Sequence, residues 1–574
     1  MDVQTAKSER VVISDNTASL FIIGIFAVLI LNCVFVDSGY YDTMATDLLS
    51  FFDGIYRTYL GQIPNRDFST AVGAIQFLAP AYFMHLGADL LSSIRYYHAA
   101  LLGLALCVIV YLQRTRIDNL VAVVLGALIA LALACKYNFG DSAFQVTEAM
   151  VYNRVGYVFL TLELVLFIPS NRDKEILAVV DGLIIGLICG LLLYVKITFG
   201  AVAIAFAFLN LLADAVPSAL KIKSSLAALA AFLLIVIIIE LGFGGRFSWY
   251  RDVHMAMLAN SGGNLRRHLL LHKLAVNAPE IVVGIVAPLA ILGLSGTRIR
   301  MYWVVYAVAI TLSSILLLMY NNAQESVLFL PIAFIIFAMS KLDGGMRFHS
   351  LTGSRPYSLA MIFLSLFAMA TIAYPMLLNV VFASESSHHV GNQLSSTNSV
   401  LNSIRTMPPV VGEPGILTSS QTIGTVENSP PLDGYMMARA SRPGHHYELL
   451  SFPEVGFYLD EGLKAANSGC RKGSRIATLD SVNPFPALLG WPVGGGMLFV
   501  QKDYLISREH HLSDEEMFGQ IDCVLVPKLE LVYEVRELLT DIYGPYLRAN
   551  FIKTGETQMW TVLSAKAAAS KAEN

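Results

Sequence analysis

VDSGYYDTMATDLLSFFDGIYRTYLGQIPNRDF, residues 36–68, is the stretch whose reading decides the fold. It follows the first long apolar run, about 18–36, and leads back toward a second, so an acidic, aromatic segment is held at a membrane surface. Tyr40, Tyr41, Met44, Leu48 and the Phe51/Phe52 pair recur at helical spacing, which predicts an amphipathic helix along the interface. Gly61, Pro64 and Asn65 then break that helix and turn the chain, with Arg66 and Asp67 adjacent at the turn. Asp37 stands where the first span ends. Two carboxylates, Asp37 and Asp67, are therefore expected to face one cleft.

The rest of the chain fits that setting. Of 574 residues, 55% are hydrophobic and only 14% charged, and the mean hydropathy is +0.60, too apolar for a soluble chain of this size. The expectation is a polytopic α-helical membrane protein in contact with membrane lipid. A net charge of −4 gives no support for a nucleic-acid partner. Four of the six cysteines, Cys33, Cys107, Cys135 and Cys189, fall in apolar runs and read as small core residues. Cys470 and Cys523 lie in the polar C-terminal part and can pair if that part is outside the cytoplasm. The His pairs at 388–389, 445–446 and 510–511 make no metal set, because adjacent side chains on a strand point apart.

A bilayer core needs roughly 20 helical residues, and apolar runs of about that length occur at 18–36, 95–112, 119–135, 151–168, 177–194, 198–214, 225–242, 281–296, 301–319, 327–340 and 358–380. That makes about eleven spans, with 71–90 either a re-entrant helix or part of the second. Short cytoplasmic loops carry the Lys and Arg excess. Lys7 and Arg10 precede the first span, and the exits of the even-numbered spans carry Arg114 and Arg116, Arg172 and Lys174, Lys221 and Lys223, Arg298 and Arg300, then Lys341, Arg347 and Arg355. The N-terminus is thus expected in the cytoplasm of a bacterial-type inner (plasma) membrane, and the region beyond about 381 on the opposite face. The first apolar run is span-length and lacks a small-residue cleavage site, so it reads as a span and not as a cleaved signal. The domain reading is a transmembrane module over 1–380, a polar linker over 381–400, an extracytoplasmic mixed α/β domain with its own core over 401–564, and a disordered tail over 565–574. Strands are expected at 475–480, 497–500, 522–528 and from Gln558 to Leu563, with a helix in the YEVRELLTDIYGPYLRANF stretch.

Unusual chemistry collects in the loops expected outside. The 243–280 loop holds Arg246, Arg251, His254, Arg266, Arg267, His268, His272 and Lys273 against the acids Asp252 and Glu280. A basic loop on that face runs against the positive-inside bias and suggests an anionic ligand, for which Arg is suited through bidentate contacts. Nonspecific contact with anionic headgroups is the competing explanation. Asn153, Arg154 and Lys196 lie inside or beside apolar runs, where an ionisable group usually lines a cavity, although Lys196 can also snorkel to the interface. Lys136, Asp141 and Glu148 sit in the second outer loop, and Gln324 and Glu325 at a span entrance.

An Asp just after the first span, an xYYxxxAxxLL segment and GxIPxRDF before a Gly-containing apolar stretch together resemble the first extracytoplasmic loop of the GT-C superfamily of integral-membrane glycosyltransferases. That group includes the aminoarabinose transferases of lipid A and the protein O-mannosyltransferases. The motifs cover about 18–210, and the remainder agrees in layout. Many relatives carry an Asp-Glu or Asp-Asp pair where this chain has Asp37-Ser38, so no divalent metal and no cofactor are expected. The resemblance implies a glycosyltransferase that moves sugar from a polyprenyl-phosphate donor to an extracytoplasmic lipid, glycan or protein acceptor. Asp37 is the expected general base, and a lone base attacking directly implies inversion; its structural alternative is to cap the interfacial helix. Asp67 either assists or is neutralised by Arg66. Lys136, Arg154, Lys196, Arg251, Arg266 and Arg267 are candidates for the donor phosphate. Tyr40, Tyr41, Arg66, Asp141, Glu148, Asn153, Gln324 and Glu325 are candidates for the sugar and acceptor. A transporter or flippase of an anionic substrate and a non-catalytic envelope-assembly protein remain as alternatives. Against the former, the halves show no inverted repeat.

Overall fold

The computed structural model describes residues 14–36, 45–136, 147–148, 150–168, 170, 175–212, 218–259, 301–320, 373–382, 392–393, 398–402, 405–406, 450, 452–532 and 534–566. Helix α1, Asp15–Phe35, starts at Ser14, whose side chain accepts from the Thr17 N–H, and Asp15 complements the dipole in its first turn. Helix α2, Ala45–Tyr59, is the expected amphipathic helix. It ends at Tyr59, and the chain turns at Gly61 and Asn65, both at positive φ. The ambiguous 71–90 stretch forms a helix of its own, α3 (Ile75–His85), separated from α4 (Leu90–Thr115) by Gly87 at φ 98° and by Asp89, which caps α4.

There follow α5 (Asn119–Ala134), α6 (Val151–Leu166), α7 (Glu175–Val195), α8 (Ile197–Leu212), α9 (Ser218–Ile237) running into a π-helical turn Ile238–Gly242, α10 (Trp249–Ala259), α11 (Met301–Tyr320) and α12 (Ala373–Phe382). Among the described residues, four helices are long and apolar enough to cross a membrane: Asp15–Phe35, Leu90–Thr115, Glu175–Val195 and Ala219–Gly242. The chain is an integral membrane protein. The expected spans at 281–296 and 327–340, and most of 358–380, lie outside the described residues.

Helices α7 and α9 meet closely because α7 offers glycine. A Cβ at Gly182 or Gly186 would stand 2.0 Å from the Ser224 or Ala228 carbonyl oxygen. At the end where α1 begins, Ser19 donates to Gln113, Arg114 to Asn16, Arg116 to Asp181 and to the Ile168 carbonyl, and Lys223 pairs with Glu175. The described members of the basic loop set therefore lie together at that end.

The C-terminal fold comprises α13 (Phe452–Gly469), β1 (Ile476–Thr478), α14 (Phe485–Leu489), α15 (Asp514–Phe518), β2 (Cys523–Pro527), α16 (Val535–Asn550), β3 (Phe551–Glu556) and β4 (Trp560–Ala565). Its sheet runs β1-β2-β4-β3, with β1 parallel to β2 and the other pairs antiparallel. Trp560 is fully buried between Tyr458 and Phe485, and a disulfide joins Cys470 to Cys523.

Expectation and structure part company at three points. Residues 497–500 form no regular strand; Met497 bridges Ser69 and Phe499 bridges Val482. Helix α13 and strand β3 were not foreseen. The C-terminal fold also shares its core: Leu48, Leu49, Phe52 and Ile55 of α2 join Phe68, Phe77, Phe485, Leu488, Trp491 and Leu498 in one buried cluster.

Candidate active site

The end of the bundle away from Asp15 carries two polar groups on either side of the end of α7. The first is built on the turn after α2. Asp67 accepts from the Ile63 N–H at 2.8 Å and from Arg66 Nε and Nη2 at 2.9 and 2.7 Å. Burial alone would raise this carboxyl, but the Arg66 and Ile63 hydrogen bonds and the Arg66 charge outweigh it and hold it below the ordinary carboxylate range. Arg66 also donates to the Gly244 carbonyl at 3.2 Å. Asn65 donates to the Thr70 carbonyl and to Asp252 Oδ2, which also accepts from the Thr70 N–H at 2.9 Å. Asp252 is buried, and burial raises its carboxyl despite those bonds and the neighbouring Arg251 charge. Arg251, half exposed, reaches Asp252 at 3.2 Å and Glu516 of α15 at 3.3 Å.

The second group is buried among the helix ends. As α5 ends, the chain turns at Lys136, and the Thr147 N–H donates to the Lys136 carbonyl at 2.7 Å. Lys136 Nζ donates to Glu148 at 2.8 Å, with His98 Nε2 of α4 3.7 Å from the other carboxylate oxygen. The Lys136 N–H donates to Asn379 of α12 at 2.8 Å. Helix α6 starts after Met150, a left-handed residue, and brings in Asn153 and Arg154, which are 0% and 1% exposed. Arg154 donates to the Cys135 carbonyl at 2.5 Å. Lys196, between α7 and α8, donates to Asn153 Oδ1 at 3.2 Å and stands 4.8 Å from the centre of the Tyr152 ring. Among the described residues, Asn153 Nδ2 and His98 Nδ1 are buried without a hydrogen-bond partner. Such orphaned groups are costly to bury.

Contacts around the end of α7 join the two groups. The Gly73 N–H donates to the Val195 carbonyl at 3.1 Å, and Tyr194 donates to Glu240 at 2.6 Å. A Cβ at Gly73 would stand 2.0 Å from the Tyr194 oxygen, so glycine lets the two segments meet.

Of the residues singled out in the sequence, Lys136, Glu148, Asn153, Arg154 and Lys196 converge in the buried group, while Arg66, Asp67 and Arg251 join the turn. Asp37, Tyr40, Tyr41, Asp141, Arg266, Arg267, Gln324 and Glu325 lie outside the described residues. Sequence reasoning missed His98 and Asn379. His98 carried the signal that marked Arg154, a polar side chain inside an apolar run.

No protein-family model matches the chain, and no curated protein sequence matches it. Among solved structures it is similar to ArnT from Cupriavidus metallidurans in the apo state, with 9% identity and a TM-score of 0.43 over 95% of this chain and 97% of that one. It is similar to ArnT from the same organism bound to undecaprenyl phosphate, with 11% identity and a TM-score of 0.42 over the same shares of the two chains. A third likeness is to the Archaeoglobus fulgidus oligosaccharyltransferase in complex with Zn and sulfate, with 12% identity and a TM-score of 0.38 over 89% of this chain and 67% of that one. With TM-scores below 0.5, these are likenesses of chain path and assign no activity to this chain.

Proposed function

We propose that the protein is a membrane glycosyltransferase that takes sugar from a polyprenyl-phosphate donor and passes it to an acceptor on the face carrying the C-terminal fold. One observation carries this reading: Lys136, Arg154 and Lys196 meet with Glu148, Asn153 and His98 in one polar group at the end of the helix bundle, buried except at the half-buried Lys196. Charges are costly to bury and persist there where a counter-charge or a reaction needs them. A lipid-linked phosphate brings its charge to that depth. Its leaving-group charge grows as the sugar departs and is stabilised by cations already in place, with no reorganisation during the step.

Asp37 follows directly on Val36, the cap of α1, and is the proposed base. The acceptor hydroxyl gives its proton to the Asp37 carboxylate as its oxygen attacks the anomeric carbon. The bond from that carbon to the phosphate oxygen breaks, and the phosphate keeps the electron pair. A single displacement inverts the configuration. Tyr40, Tyr41 and Arg66 are proposed to hold the sugar and acceptor.

The test is transfer from a synthetic polyprenyl-phosphate sugar by purified protein. Asp37→Asn should lower transfer at least about 100-fold with donor still bound. Arg154→Ala and Lys196→Ala should each weaken donor binding by about 1.5–3 kcal/mol, roughly 10- to 100-fold. Wild-type-like transfer by Asp37→Asn together with unchanged donor dependence in both cation variants would refute the assignment, and movement of donor across the bilayer without transfer would favour a flippase.

A further inference from the structure

Where α9 ends, the chain makes a turn that is costly in itself. The π-helical turn Ile238–Gly242 is followed by Arg246 and Phe247 at φ 54° and 58°. Two successive non-glycine residues in that region persist only where their surroundings hold them there. Here Glu240 holds them: its backbone carbonyl accepts from the Arg246 N–H at 3.1 Å, and its carboxylate accepts from the Phe247 N–H. The same carboxylate accepts from Tyr194 at 2.6 Å and from the Trp249 indole at 3.1 Å.

The turn so held sends side chains outward. Arg246 is exposed, and Phe243 and Phe247 are 50% and 54% exposed. Helix α10 continues the display. Its inner face carries Asp252 and Ala259, both buried, with Met255 packed against the core that α2 shares with the C-terminal fold. Tyr250, His254, Met257 and Leu258 recur at helical spacing on the opposite, exposed face, where the Tyr250 and His254 rings stack 6.0 Å apart.

Large apolar side chains exposed together call for an apolar neighbour. Two observations say which. The first is continuity with a membrane span. Leu233, Ile237 and Leu241 are exposed on α9, and Ala219–Gly242 is long and apolar enough to cross the bilayer. Trp249, the first residue of α10, is hydrogen-bonded to Glu240 inside that span, so α10 starts at the level where the span ends. The second is charge. Arg246, Arg251 and His254 stand among the exposed aromatic and aliphatic side chains, and the one acid of 243–259, Asp252, faces inward. Aromatic and basic residues mixed on one face suit the headgroup level, where apolar tips reach the acyl boundary and cations meet phosphate.

We propose that 243–258 is an interfacial anchor whose partner is the phosphate-bearing headgroup layer of the bilayer. Phe243, Phe247, Tyr250 and Met257 seat at the acyl boundary, and Arg246 meets lipid phosphate. The inner face of α10 then takes its height from the membrane. Asp252, which accepts from Asn65 and from the Thr70 N–H, passes that height to the turn that holds Arg66 and Asp67. The inference does not depend on sugar transfer.

The test uses the full-length chain in nanodiscs of phosphatidylcholine and phosphatidylglycerol, with the exposed free thiol of Cys107 removed by Cys107→Ala. Nitroxide labels are placed one at a time through Phe247→Cys, Met257→Cys and, as an aqueous reference, Ala549→Cys on α16. Labels at 247 and 257 should collide with dissolved oxygen more often than with a water-soluble nickel chelate, and chelate collisions should be at least about 3-fold below those at 549. Arg246→Glu should raise chelate collisions at both positions about 2-fold, because it sets a carboxylate against lipid phosphate. Chelate access equal to that at 549 overturns the proposal, since the face then meets water. Shielding from oxygen and chelate alike also overturns it, since protein then covers the face. Unchanged collisions in Arg246→Glu overturn the contact with phosphate. Should Phe247→Cys disturb the turn that Glu240 holds, the label at 257, outside that turn, gives the same reading.

Discussion

At the turn after α2 both oxygens of Asp67 are taken, one by Arg66 and the other by Arg66 and the Ile63 N–H. A carboxylate held below its usual range is a poorer proton acceptor than a free one. Asp67→Asn should therefore weaken the turn, costing about 1 kcal/mol because the pair is about a third exposed, and leave the pH dependence of transfer in place. Thermal melting and a pH–rate profile check both halves; a folded, inactive Asp67→Asn beside an active Asp37→Asn would reverse the two acids. Sequence pattern ranked Asp37 above Asp67 because it stands at the end of a span, but it could not show the donors that occupy both Asp67 oxygens, which depend on the fold of the turn. Arg154 and Lys196 were legible for the opposite reason: an ionisable side chain in an apolar run stands out before any partner is known.

Among elements, the C-terminal fold carries a buried acid that should mark its pH response. Glu530, 7% exposed, accepts from the backbone N–H groups of Glu534 and Arg536 at 2.8 and 2.7 Å. Burial pushes its carboxyl up to about 7, helped by nearby Asp480 and opposed by the Arg536 and Glu534 N–H bonds and the Arg536 charge. With a folded pKa above the unfolded value, the folded state holds the proton more tightly, so this contribution to stability is complete below about 4.5 and is lost as pH rises through about 7. Glu530→Gln should melt with a flatter pH dependence between about 5 and 8, even if lower overall for want of one acceptor oxygen. An unchanged slope would remove Glu530 as its source. The elements legible in the sequence were those with a clear period, the apolar spans and α2. Strand β3 was missed because Lys553 and Glu556 face water on a sheet edge, and an edge strand of that kind reads as loop. Residues 497–500 were misread for the converse reason: the run is apolar because it lies against α2 and the sheet, and it pairs only through single bridges.

For the molecule as a whole, Arg114, Arg116, Lys221 and Lys223 mark one end of the bundle and the C-terminal fold the other, with α1 running between them. If the basic end is cytoplasmic, Ala549→Cys, exposed at the end of α16, should react in intact cells with a membrane-impermeant thiol reagent, and Lys223→Cys only after permeabilisation. The opposite pattern would invert the protein in the membrane. Cys470 and Cys523 are buried, so they should react with a thiol reagent only after the protein is both reduced and unfolded, as a buried disulfide does.

Arg57 of α2 donates to the Gly494 carbonyl, a bond that joins positions 437 residues apart. Helix α2 is synthesised before helices α3 to α12, and its glycine partner after them. Until then the faces of Leu48, Leu49, Phe52 and Ile55 have no C-terminal fold to cover them. The core that α2 shares with Phe485, Leu488, Trp491 and Leu498 is thus closed only when that later stretch reaches a helix laid down before it.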